Sequence, residues 1–73
     1  MDHPFKRERE KLFKSQTWLA HEIGLTQSRM SQFERGFFKA RSKVVNDVAE
    51  VLGLSYKNLR SRVTRWENKN FSK

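Results

Sequence analysis

The stretch from Leu19 to Gly36, LAHEIGLTQSRMSQFERG, constrains this chain more than any other. Leu19, Ala20 and Ile23 stand at i, i+1 and i+4, which puts them on one face of a helix. Gly24 ends that helix, because glycine accepts the positive φ of a helix C-terminus. Leu25 follows as an apolar plug. Thr26 is placed to cap a second helix by accepting a backbone N–H one turn later. Met30 and Phe33, at i and i+3, face inward on that helix, and Gly36 stops it. Two short helices joined by a tight glycine turn make a helix-turn-helix unit. The other face of the second helix carries Gln27, Ser28, Arg29, Ser31 and Gln32 and no large apolar residue. That face is built to meet polar groups.

The flanking sequence supplies three more helices. Pro4, after His3, suits the first turn of a charged helix running to Phe13. Phe5, Leu12 and Phe13 give that helix one narrow apolar stripe, and Glu8, Arg9, Glu10 and Lys11 read as its solvated face. Ser15 caps helix two, from Gln16 to about Ile23, with Trp18 on a half-exposed rim. Helix three is expected from Gln27 to Glu34, followed by a basic, aromatic loop over residues 36–41. Ser42 is the expected cap of helix four, Lys43 to Leu52, whose Val44, Val45, Val48, Ala49, Val51 and Leu52 mark it as the central buried element. Gly53 closes helix four, Leu54 plugs the turn, and Ser55 caps helix five from Tyr56 to about Trp66. Tyr56, Leu59, Val63 and Trp66 form a seam, of which a compact domain needs only the first two. Val63 and Trp66 are therefore expected as a packed tail or, with Leu54 and Tyr56, as a dimer or partner surface. Residues 67–73 are expected to fray. The expectation is an all-α domain of five short helices over residues 1–66, with the helix-turn-helix at about 16–35.

Composition narrows the function classes. A chain of 73 residues makes one domain at most, and buries only about 60% of its unfolded surface, so dimerisation would help it. With no Cys, disulfides and thiolate metal sites are excluded, and His3 and His21 are too isolated for a metal centre. Nothing implies a cofactor. No apolar run is long enough for a membrane span or the core of a signal peptide, so a soluble, intracellular protein is expected. Sixteen Lys and Arg against eight Asp and Glu give a net charge of +8, which favours a polyanion, most simply nucleic acid. A membrane surface is disfavoured, because no helix pairs a basic face with apolar surface beyond what the core needs. The scattered acids offer no paired carboxylates, which argues against a nuclease or other enzyme.

Several segments together carry a family resemblance: Ser15-Gln16-Thr17-Trp18-Leu19-Ala20, Gly24-Leu25-Thr26-Gln27-Ser28, Phe33-Glu34-Arg35-Gly36, Val48-Ala49, Leu52-Gly53-Leu54-Ser55 and Leu59. Over Ser15–Leu59 the chain resembles the lambda-repressor and Cro-like, or XRE-type, helix-turn-helix DNA-binding domain. The resemblance implies that Gln16 bonds a DNA phosphate and braces Gln27. It places base reading on Gln27, Ser28 and Gln32, with Arg29 and Ser31 beside them, and leaves a phosphate contact as the alternative for Arg29. It implies phosphate contacts by Arg35, Lys39, Arg41 and Lys43, and an ion pair between Arg9 of helix one and Glu34. The chain departs from the family at four points. Lys14 replaces an apolar residue, so Phe13 is expected to plug that gap. Trp18 replaces a small or acidic residue, Phe37 and Phe38 replace basic or polar ones, and the proline before helix four is missing.

The function implied is a sequence-specific, double-stranded DNA-binding regulator of transcription, with repression the expected sign. It resembles small phage or mobile-element regulators acting in the bacterial cytoplasm or nucleoid. A homodimer on a palindromic operator is implied, with half-sites about 34–36 Å apart. Control would come from abundance or from a regulatory partner protein. The alternative is an antitoxin or adaptor module that holds a protein partner through Trp18, Phe37, Phe38 and Trp66.

Overall fold

Most helices begin where a side chain takes up a free backbone N–H. His3 Nδ1 accepts from Phe5 N–H at 3.0 Å, and Ser15 Oγ from Trp18 N–H at 3.0 Å. Thr26 Oγ1 accepts from Arg29 N–H at 3.1 Å, and Ser55 Oγ from Asn58 N–H at 3.3 Å. The resulting helices are α1 (Pro4–Lys11), α2 (Gln16–Glu22), α3 (Gln27–Glu34), α4 (Ser42–Leu52) and α5 (Tyr56–Phe71). The structure, a computed structural model, describes residues 2–71, and no strand occurs among them. The fold is all-α. Ser42 is not a cap: it is the first residue of α4, and Arg41 precedes it without a side-chain cap bond.

The core takes Phe5 from α1, Leu19 and Ala20 from α2, Met30 and Phe33 from α3, Val45, Val48, Ala49 and Leu52 from α4, and Leu59 and Val63 from α5. Trp18 lies half-buried at its edge. α4 is buried along Val45 and Val48 as its apolar run implied, but α1 is the helix that packs against all four others. Its charged residues make this possible. Glu8, expected in solvent, is buried between Lys11 Nζ at 3.1 Å and Arg62 Nη2 at 2.8 Å. Burial alone raises its carboxyl pKa, and the hydrogen bonds from Lys11 and Arg62 outweigh that and hold it below the usual carboxylate range.

The end of α1 corrects a second expectation. Phe13 does not plug the gap beside Lys14: it is 96% exposed, with φ 58°. Its N–H donates to Glu10 C=O and the Lys14 N–H donates to Arg9 C=O, both at 3.0 Å, which closes α1 as a Schellman turn. That turn puts residue 13 in the left-handed region, so its side chain points away from the core. The Lys14 carbonyl is met by Arg9 Nη1 at 3.1 Å.

α5 corrects a third. It continues to Phe71; Ser72 and Lys73 of the expected frayed end lie outside the described residues. Val63 is fully buried and Trp66 only 8% exposed, so neither offers a partner surface; Leu54 and Tyr56 are half-buried against the core. The loop after α3 explains the length of α5. At Gly36, φ is +84° and a Cβ would sit 3.0 Å from Cη2 of Trp66. Farther on, Ala40 N–H donates to Glu67 Oε2 at 2.7 Å and Arg60 Nη1 donates to Ala40 C=O at 3.0 Å. Residue 67 therefore clamps the loop instead of fraying.

Two outcomes follow. His3 is buried against Phe5 and the edge of Trp66, with ring centroids 4.5 and 4.7 Å away, and burial pushes its pKa down to about 4. Folded His3 thus stays neutral between pH 6.5 and 4 while the unfolded chain takes up the proton. Its contribution is present above pH 6.5 and lost as pH falls, by about 3 kcal/mol on reaching pH 4. Urea unfolding across that range should show the fall, and His3→Asn should flatten it; an unchanged slope would show that His3 titrates normally. Phe13→Gly should raise stability by about 1 kcal/mol by removing left-handed strain. A loss in the same unfolding assay would mean that the Phe13 ring is held by something in the fold.

Candidate nucleic-acid interface

α3 is eight residues long and divides cleanly. Met30 and Phe33 enter the core, while Gln27, Ser28 and Arg29 are exposed and Ser31 and Gln32 are half-buried. Ser31 lines a groove with Lys6, Arg9, Gln16 and Arg35, so it lies toward α1. The five side chains do not form one uniform face. Gln27, Ser28 and Arg29 are the most open to a ligand.

A hydrogen-bonded chain runs from α1 to the first residue of α3. Arg9 Nε donates to Glu34 Oε2 and Arg9 Nη2 to Glu34 Oε1, each at 2.9 Å. This is a two-pronged pair between side chains that are almost fully buried. The hydrogen bonds that Arg9 donates to Glu34, partly offset by burial, raise the Arg9 pKa, so the guanidinium stays charged. Gln16 Nε2 donates to the same Glu34 Oε1 at 3.0 Å, and Gln16 Oε1 accepts from Gln27 Nε2. The order is chemically forced. A carboxylate only accepts, so Gln16 must turn its NH₂ toward Glu34 and its oxygen toward Gln27. Gln27 must then spend one N–H on Gln16, keeping its other N–H and its oxygen for a ligand. A side-chain amide in that state still matches adenine N7 and N6. Gln16 likewise keeps one N–H beside the N-terminus of α2, where an anion is favoured.

The cations around this face are arranged by aromatic rings. The Arg29 guanidinium lies over Phe38, 4.9 Å from its centroid, and Phe38 sits edge-on to Phe33 at 6.5 Å. Arg35 lies over Phe37 at 4.7 Å and Lys39 over Phe71 at 5.6 Å. Phe37 and Phe38 are 56% and 43% exposed, yet each has a face covered by a guanidinium. Such stacking leaves the edge N–H groups of an arginine available for a phosphate or a guanine. Arg41 is exposed at the uncapped N-terminus of α4, which still carries free N–H groups. Lys43 is tied to Asp47 at 2.9 Å, an exposed pair that costs little to open.

Sequence reasoning missed the aromatic platforms, since nothing in the spacing of Arg29 and Phe38 shows that the loop folds back on α3. It also missed Lys6, which lines the groove beside Ser31 and Arg35. Compared with known proteins, the chain matches no family model, no curated protein and no solved structure.

Removing one partner of the Arg9–Glu34 pair leaves a buried charge unpaired. Arg9→Ala should therefore lower the unfolding free energy by about 3–5 kcal/mol. Arg9→Met combined with Glu34→Leu should recover most of that loss. If Arg9→Ala costs under about 1 kcal/mol, the pair behaves like a solvated one.

Proposed function

We propose that this protein is a sequence-specific, double-stranded DNA-binding regulator of transcription of the lambda-repressor and Cro-like kind, with α3 in the major groove. One observation carries the proposal: the open polar face of α3 starts at a glutamine whose amide is oriented, through Gln16, by a hydrogen-bonded chain back to the buried Arg9–Glu34 pair. A flexible solvated helix has no use for such bracing, whereas a base-reading helix does. The surroundings fit the same use. α2 offers a donor at its N-terminus, the loop and the start of α4 offer Arg35, Lys39, Arg41 and Lys43, and the chain carries +8 overall. An α-helix fits the major groove, which is about 12 Å wide.

Repression is the proposed sign, because a domain seated on operator DNA excludes other proteins from it. A homodimer on a palindromic site is proposed, with Leu54 and Tyr56 as the remaining candidates for its surface. Among the described residues no helix is long and apolar enough to cross a membrane. Action in the bacterial cytoplasm or nucleoid, in a phage or mobile-element setting, belongs to the same proposal.

The second reading is an antitoxin or adaptor that holds a protein partner through aromatic side chains. The exposed Phe37 and Phe38 favour it. However, Trp66 is buried, Trp18 is half-buried with Lys14 Nζ over its ring, and guanidinium groups cover Phe37 and Phe38. Those positions suit DNA contact better than an apolar interface.

Selection of bound duplexes from a random pool at about 150 mM salt tests the proposal. A palindromic motif should emerge, and Gln27→Ala and Gln32→Ala should each change the preferred bases. Lys39→Ala and Arg41→Ala should weaken every sequence alike and flatten the salt slope by about one unit each. Binding without sequence preference, or none, would reject the reading.

A further inference from the structure

A second basic surface lies on the other side of α1. Lys6 and Arg9 line the groove toward α2 and α3, whereas Arg7 faces a separate groove between α1 and α5. On α5 that groove is lined by Arg62, Arg65 and Lys69, at i, i+3 and i+7, with Trp66 and Asn70 between them. Among the described residues that line it, the one acid is Asp2, held by Lys6 at 3.8 Å, and Arg62 is held by Glu8. No ion pair forms at Arg7, Arg65 or Lys69 among the described residues, so three positive charges face one cleft uncompensated. The fold does not need them there. The Glu8–Arg62 pair already joins α1 to α5, and crowding like charges costs stability.

From Arg62 to Lys69 the helix rises about 10 Å, the axial length of roughly three phosphates on one strand of a duplex. Arg7, from the facing helix, sets the second wall. An anionic bilayer suits the surface less well, because docking there requires apolar side chains to insert. The large apolar ring in this groove is Trp66, and it is buried. We infer that the groove between α1 and α5 is a second binding site for the phosphodiester backbone of duplex DNA, separate from the α3 face. The inference takes the identity of its polyanion from the DNA reading above, while the groove itself stands on the α1 and α5 geometry alone.

The test uses the isotopically labelled 73-residue chain and a duplex of about 12 bp, just over one helical turn, that lacks any selected motif. With Gln27→Ala/Gln32→Ala, which disables base reading, the protein should still bind this duplex. The resonances of Arg7, Arg65, Lys69 and the Trp66 indole should move. Adding Arg7→Gln, Arg65→Gln and Lys69→Gln should weaken binding on the order of 100-fold and make the salt slope shallower by about three units. The same three changes alone should leave the bases preferred by the wild-type α3 unaltered. Shifts confined to residues 16–43, or a salt slope that changes by less than one unit, would overturn the site. Binding to vesicles of anionic lipid without any duplex-induced shift in the groove would overturn it as well. The two proposals fail separately: loss of base preference with an intact groove response rejects only the α3 reading, and the reverse pattern rejects only the groove.

Discussion

The Arg9–Glu34 pair is the interaction on which the rest of the structure depends. α1 packs on every other helix, and α3 is held to it through this pair as well as through the apolar core. Its two N–H···O bonds fix both the distance and the rotation of α3, which apolar packing alone could not do. Burying two charges is expensive, and their attraction offsets the cost only with good geometry and every remaining donor satisfied. Both conditions are met: Arg9 also reaches the Lys14 carbonyl, Glu34 also accepts from Gln16, and no buried side-chain polar atom among the described residues lacks a partner. The pair thus sets the orientation of Gln16, and through it that of Gln27. Packing, polar satisfaction and the candidate reading surface are one structure.

The loop after α3 depends on a second polar clamp. Ala40 has both its N–H and its C=O bonded to α5, through Glu67 and Arg60, and Gly36 lies against Trp66. A loop so tied can hold Phe37 and Phe38 outward as platforms without spending core area on them. Arg29 and Arg35 rest on those platforms, so the cations flanking the α3 face are restrained before any ligand arrives. Restraint of that kind lowers the ordering cost of binding.

How much of this was legible in the sequence depends on the range of the physics involved. Caps and glycine stops act within one turn, so Ser15, Thr26, Ser55 and the limits of α3 could be read directly. The apolar periodicity of α4 was equally local. Phe13 misled because an apolar residue beside a helix end looks like core, whereas the Schellman turn makes the backbone, not hydrophobicity, decide its direction. Glu8 and Glu67 misled for the opposite reason: a charged residue looks solvated until its partner is known, and Arg62 and Ala40 are remote in sequence. Trp66 looked superfluous only because the loop it meets at Gly36 had no pattern of its own. At the candidate site the residue types were visible, but the stacking on Phe37 and Phe38 was not, because it needs the loop's path.

The orientation of the Gln27 amide is the point where all of this is most exposed to measurement. In the free protein, its two side-chain amide protons can be followed by NMR with and without Gln16→Ala. A braced Gln27 shows dispersed amide resonances that exchange slowly with water, and these collapse to solvent-like values in the variant while the core resonances stay in place. If Gln27 is already solvent-like in the wild type, or does not respond to Gln16→Ala, the chain from Arg9 does not orient α3's first residue and the structural case for base reading is lost.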